Sequence, residues 1–197
     1  MRFVIALILL VLAGCDKESE PKGQAQPAST GQAGASDNAE ITLESANGMR
    51  AMLSYKFAGQ KAPSAPFADA QGQDVSLADF EGKPLLLNIW ATWCAPCKAE
   101  MPTLDALAAS EKGRMHVIAV SQDLEGRAPV AAFFTETGVK NLVPYTDADN
   151  ALLTAFNNAI ALPTTILYDS DGKEVWRVAG GVEWDEAEMA KLLRAAD

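Results

Sequence analysis

Histidine and cysteine are scarce in this chain, whose 197 residues include one His and three Cys. A single Cys-x-x-Cys pair with the lone His116 falls short of the four donors of a closed zinc site. Nor is there enough cysteine for a disulfide-stapled scaffold. Basic charge is short as well: 16 Lys and Arg stand against 26 Asp and Glu, a formal net charge of −10. No basic patch with interleaved aromatics occurs, which argues against nucleic acid and against tight binding to acidic lipid headgroups. No internal repeat is visible, and the apolar run Phe3 to Ala13 is too short for a bilayer-spanning helix of roughly 20 residues.

What is present begins with a processing signal. Arg2 supplies a positive start, Phe3 to Ala13 an apolar centre and Ala13-Gly14 a small-residue end, so residues 1–14 read as a secretory signal peptide. Leu12-Ala13-Gly14-Cys15 resembles the lipobox of bacterial lipoproteins. That resemblance makes Cys15 a lipidated anchor that takes no part in redox chemistry, tying the chain to a membrane surface without crossing it. Asp16 resembles the signal for inner-membrane retention, which implies the periplasmic face of that membrane. Residues 15–40 are rich in Gly, Ala, Ser, Gln and Pro without an apolar period, as a flexible linker should be. Residues 41–197 are the right size for one domain with a substantial core.

Within that domain the pattern alternates. Met52 to Phe57 reads as an edge strand, and Phe67 to Leu77 as a hairpin turning at Gln71-Gly72. Asp79 to Pro84 is a turn leading into Leu85 to Ala91, a nearly continuous apolar run expected of a strand buried on both faces. A helix follows from Pro96 to about Ala109, with Cys97, Met101, Leu104 and Ala108 at helical spacing and a bend expected at Pro102. Met115 to Val120 is a second buried strand. Pro129 opens a helix ending at Gly138, Leu142 to Tyr145 is a short strand, and Ala151 to Phe156 a helical turn. Thr164–Tyr168 and Glu174–Val178 flank Ser170-Asp171-Gly172 as an antiparallel hairpin, and Trp184 to Leu193 is the last helix.

The chemistry concentrates at Cys94-Ala95-Pro96-Cys97, where a buried strand passes into a helix. Two thiols at this spacing can form and break a disulfide. A bridge closing so short a loop constrains the unfolded chain little, so stability alone does not account for it. At the first helical turn the Cys94 sulfur faces free backbone N–H groups and the positive end of the helix dipole, which favours its thiolate. Cys97, one turn further in, is the resolving thiol. Pro163, just before an apolar strand, is expected to be cis, leaving the backbone of Leu162 available to an extended substrate segment.

The run Asn88-Ile89-Trp90-Ala91-Thr92-Trp93-Cys94-Ala95-Pro96-Cys97-Lys98-Ala99-Glu100-Met101-Pro102 resembles the active-site signature of the TlpA/ResA-like branch of the thioredoxin superfamily. Leu162-Pro163-Thr164-Thr165 resembles its cis-proline loop, and Asp169 to Lys173 its following hairpin. With Gly82-Lys83-Pro84, these matches span about residues 66–185. One departure is Ala161, where many relatives have glycine. The resemblance implies an α/β thioredoxin-like fold: a central mixed sheet flanked by helices, with an N-terminal β-hairpin extension.

It also implies a protein thiol:disulfide oxidoreductase that needs no cofactor or metal. Cys94 is its nucleophile, Cys97 its resolving residue and Pro163 part of the substrate loop, with substrate contacts at Trp93, Ala95, Pro96, Leu162 and Thr164. Glu100, one turn beyond Cys97, is placed to exchange a proton with it, raising both groups' pKa values by like-charge repulsion. The alternative for Glu100 is a solvent-exposed surface residue. Relatives of this layout are mostly reductants, which implies periplasmic clients with reducible disulfides, such as apocytochrome c, and a membrane-bound dithiol electron donor. The rival is a periplasmic copper-handling metallochaperone on the same fold. Such proteins usually carry cysteines three apart and a distant histidine, whereas here Met49, Met52 and Met101 are not grouped as a soft-metal site. Peroxidase activity lacks the expected surroundings of a peroxidatic cysteine.

Overall fold

The computed structural model describes residues 40–157 and 160–196. The signal-like segment, Cys15 and the linker up to residue 39 lie outside the described residues. β5 (Leu85–Trp90) is buried at all six positions. It is the axis of a nine-stranded sheet, running parallel to β6 (His116–Ser121) and antiparallel to β8 (Thr164–Tyr168). A parallel neighbour needs a long crossover, and the 16-residue α1 (Ala95–Ser110) supplies it. α2 (Arg127–Thr137) makes the second crossover, to β7 (Pro144–Thr146).

From β8 the sheet continues through β9 (Glu174–Ala179) to the hairpin of β1 (Glu40–Glu44) and β2 (Arg50–Ser54). Beyond β7 lie β3 (Phe67–Ala68) and β4 (Asp74–Val75), giving the order β1-β2-β9-β8-β5-β6-β7-β3-β4. The fold is thioredoxin-like, a mixed sheet with flanking helices and the β1–β2 hairpin added at one edge. The remaining helices are the short α3 (Ala151–Ala155) and α4 (Ala187–Leu193).

The two-residue alternation of a strand divides the core in two. Leu86 and Trp90 join a cluster with Met101 and Leu104 of α1, Trp176, Trp184 and Met189. Leu85, Leu87 and Ile89 face the other way, with Ile118, Val120, Ile166 and Leu152. Asn88 shares the parity of Leu86 and Trp90, so it faces α1.

Several elements differ locally from the pattern reading. The 41–57 region holds two strands rather than one, because Ser45 and Gly48 close a turn through Gly48 N–H to Ser45 C=O at 2.8 Å. The turn before β5 contains a 3-10 helix, Leu77–Phe80, boxed at its start by Ser76 and Asp79. α1 continues through Pro102; the proline removes the donor to the Lys98 carbonyl, and both residues are exposed. α2 begins at Arg127, two residues before Pro129. The missing proline N–H is then one of the first few that have no helical partner anyway. β7 starts two residues later and ends one residue later than expected, and α4 starts three residues later.

Candidate active site

Cys94 is the N-cap of α1, and its Sγ accepts the Cys97 backbone N–H at 3.3 Å. The two sulfurs are joined as a disulfide. Cys94 retains 6% exposure and Cys97 none, the asymmetry expected of an attacking and a resolving sulfur. In the reduced state the Cys97 N–H and the helix dipole would stabilise a thiolate on Cys94 more than a thiol.

The loop carrying Cys94 is pinned from β6. Asp123, buried just past the strand end, accepts the Thr92 N–H at 2.9 Å, the Thr92 hydroxyl at 2.5 Å and the Ser121 hydroxyl at 2.5 Å. The residues following Thr92 and Asp123 are both apolar and exposed, Trp93 at 67% and Leu124 at 68%. Ala95 and Pro96 are exposed too, so the dithiol opens onto an apolar rim.

The Leu162-Pro163 peptide bond is cis. In the β5–β8 register Thr164 lies opposite Ile89, which puts the proline loop at the same sheet end as the dithiol. Pro163 is buried and Leu162 half-buried, and among the described residues no hydrogen bond reaches the Leu162 N–H or C=O. Thr164 is buried, with its hydroxyl donated to Ala161 C=O at 2.6 Å; it shapes the loop from within.

The segment after β9 joins these parts. Gly180 donates its N–H to Pro163 C=O at 2.8 Å. A Cβ on Gly181 would lie 3.4 Å from Pro96 C=O and 3.1 Å from Met49 Sδ, so the β1–β2 hairpin also reaches the mouth of α1. Val182 donates its N–H to Glu100 Oε2 at 3.1 Å.

Glu100 is fully buried, which removes the surface-residue reading. Its other oxygen accepts Asn88 Nδ2 at 2.7 Å, and the same Nδ2 reaches Thr165 Oγ1 at 2.9 Å. Burial pushes the Glu100 carboxyl up to about 8; the Val182 N–H, the Asn88 amide and the Trp184 indole oppose that rise. Among the described residues the Trp184 indole N–H has no hydrogen bond of its own, so its influence is that of a nearby dipole. Desolvation, then, and not repulsion from a thiolate, is the cause of the shift in the oxidised protein.

Asn88, Thr165, Val182 and Asp123 do not stand out as site residues in the sequence. The one available signal is Asn88, a carboxamide in the otherwise apolar run of β5. Among the described residues no group of three or more His, Cys, Asp or Glu is placed to hold a metal ion, and His116 packs edge-on against Phe80.

A reducible Cys-x-x-Cys bridge at a helix mouth, beside a cis-proline loop on a thioredoxin-like sheet, defines a thiol-disulfide redox protein. Comparison with known proteins agrees. The Redoxin family model matches residues 57–193. The chain is 36% identical over 124 residues to the thiol-disulfide oxidoreductase ResA of Bacillus thuringiensis subsp. konkukian, covering 62% of this chain and 69% of that one. It is 35% identical over 123 residues to ResA of Bacillus subtilis, covering 62% and 67%. Among solved structures, a provisionally assigned thiol:disulfide interchange protein DsbE from Chlorobium tepidum aligns with a TM-score of 0.62 at 26% identity, covering 71% of this chain and 98% of that one. The chain belongs to the Redoxin family and is a thioredoxin-superfamily thiol-disulfide oxidoreductase related to the ResA and DsbE-like proteins.

Proposed function

We propose that this protein is a lipid-anchored reductant of disulfides in periplasmic client proteins, apocytochrome c among them. The supporting observation is the Cys94–Cys97 pair itself, with Cys94 retaining slight exposure, Cys97 fully buried, and beside them a Leu162 backbone that no hydrogen bond reaches among the described residues. The Cys94 thiolate attacks a client disulfide; one client sulfur leaves as a thiolate and the other stays bonded to Cys94. Cys97 gives its proton to Glu100, attacks the Cys94 sulfur and releases the second client sulfur as a thiolate. The client gains two electrons, its two thiolates take protons from water, and the protein is left oxidised. A membrane-bound dithiol donor then restores the pair. Trp93, Ala95 and Pro96 form the apolar floor under the client, while Leu162 pairs with its backbone and Pro163 and Thr164 hold that edge in place.

Residues 1–14 serve as the signal, Cys15 as the lipid anchor on the periplasmic face of the inner membrane, and residues 15–40 as the tether of the 41–197 head. Support for this comes from the lipobox-like run; among the described residues no helix is long and apolar enough to cross a membrane.

The test is to express a Cys97→Ala variant in a bacterium that makes c-type cytochromes. Mixed disulfides through Cys94 to periplasmic proteins should accumulate, and the purified wild-type pair should have a reduction potential close to or below about −270 mV, the thioredoxin value. A potential near about −120 mV, that of strong oxidants, would reverse the direction assigned here. For Glu100, disulfide exchange by Glu100→Gln should be slower than wild type above neutral pH, with the fold intact. Equal rates from about pH 6 to 9 would remove its proton-transfer role.

A further inference from the structure

Asn88 is the one polar side chain on β5, and Thr165 is its direct cross-strand partner on β8. Both face α1. The Asn88 amide nitrogen donates to Glu100 and Thr165, while its oxygen, Oδ1, is buried with no hydrogen-bond partner among the described residues. That imbalance suits only one state of the carboxyl. An ionised Glu100 accepts and cannot donate; a protonated Glu100 carries an O–H that needs an acceptor. The oxygen and nitrogen of a carboxamide are nearly the same size, so a half-turn of the amide exchanges them in place. The Thr165 hydroxyl can follow either orientation, because it accepts or donates.

We propose that Asn88 is the positioning residue for the Glu100 proton: its amide nitrogen holds the carboxylate, and after a half-turn its oxygen holds the carboxylic acid, with the Thr165 hydroxyl reversing in step. This rests on the reading of Glu100 as proton acceptor for Cys97. When Cys97 gives up its proton, the Glu100 carboxylate becomes the acid and the amide turns. The Cys97 thiolate attacks Cys94, the Cys94–Cys97 bond forms, the Cys94–client bond breaks, and its electron pair leaves on the client sulfur. When Glu100 later releases the proton the amide turns back.

Burial sets the carboxyl near 8 while the Asn88 amide pulls it down, so both states are populated at neutral to mildly alkaline pH. The carboxyl accepts Asn88 Nδ2 of β5 and the Val182 N–H of the covering segment, with Thr165 of β8 bonded to that same amide, Trp184 influencing its titration and Cys97 three residues earlier on α1. No neighbouring charge contributes to its shift. Lys98 and Asp185 are exposed and Glu183 is partly so.

The test is a pH titration of the full-length oxidised protein by NMR, following the Glu100 carboxyl carbon and the Asn88 side-chain nitrogen, alongside pH profiles of disulfide exchange. The Asn88 signal should move with the Glu100 midpoint. Asn88→Leu, which removes the donor to the carboxylate, should raise that midpoint by about one pH unit and move the alkaline limb of the exchange rate with it. Thr165→Val should shift both in the same direction by less, and it serves if Asn88→Leu does not fold. The double variant Asn88→Leu/Glu100→Gln should show no more pH dependence than Glu100→Gln alone. An Asn88 signal that stays flat through the Glu100 titration, or midpoints unmoved in both variants, overturns the role of Asn88 while a lost limb in Glu100→Gln keeps the acid in place. If Glu100→Gln retains the limb, the reading of Glu100 falls and Asn88 falls with it.

Discussion

Replacing Glu100 by glutamine should make the folded protein more stable at alkaline pH, relative to wild type, than it is in acid. In the folded oxidised protein the carboxyl titrates at about 8 rather than at its ordinary 4.5, chiefly because it is buried. Between those values the folded chain keeps a proton that the unfolded chain has lost. The carboxyl's contribution to stability is therefore fully present below about pH 4.5, falls as pH rises, and is gone above about pH 8. The gap is about 3.5 pH units at 1.36 kcal/mol each, which amounts to on the order of 5 kcal/mol. Glutamine carries no such charge, so that slope disappears.

The assay is urea unfolding of the oxidised proteins between pH 5 and 9, read by the fluorescence of the buried Trp90, Trp176 and Trp184. Other ionisable groups are common to both proteins and cancel in the difference. The variant-minus-wild-type unfolding free energy should climb by up to about 1.4 kcal/mol per pH unit and level off above pH 8. Parallel stability curves would show that burial does not hold this carboxyl in its neutral form, and the reasoning would fail.

Gly180→Ala should lower stability by more than about 2 kcal/mol in urea unfolding, because a Cβ there, at φ +108°, would sit 2.5 Å from the Arg50 carbonyl oxygen. Gly172→Ala should cost only about 1 kcal/mol, the price of its left-handed backbone, since the atoms it meets belong to the flexible Glu81 side chain. Asp105→Ala should cost about 1–3 kcal/mol by the same measurement, because one carboxylate accepts the N–H groups of Lys140, Asn141 and Leu142. Asp123→Ala should speed amide hydrogen exchange at Thr92 and slow client disulfide exchange several-fold, since the loop that carries Trp93 and Cys94 loses its anchor.

The dithiol was legible in the chain because its chemistry is local. Cys94 and Cys97 are one helical turn apart, and their place between an apolar strand and a helix fixes which sulfur meets free N–H groups. The buried strands 85–90 and 116–121 were equally plain, since a strand covered on both faces reads as a nearly continuous apolar run, and the hairpin after Pro163 was marked by its Ser170-Asp171-Gly172 turn. Short elements were less so. β1 holds five residues, too few for a period to declare itself, and it pairs along the edge that β2 offers it; the still shorter β3 and β4 were readable only through the turn residues Gln71-Gly72 between them.

What needed the folded chain was everything that depends on contact between distant segments. Glu100 could be set one turn from Cys97 on paper, but its burial comes from Val182, 82 residues on, and from Asn88, 12 residues back. Only the register of β5 with β8 places Asn88 opposite Thr165, and only the path of Gly180 to Val182 ties the proline loop, the mouth of α1 and the acid together. Reactive residue types and their local spacing are properties of the covalent chain; desolvation and hydrogen-bond partnership arise when remote segments exclude water from one another, and those decided the proton chemistry of this site.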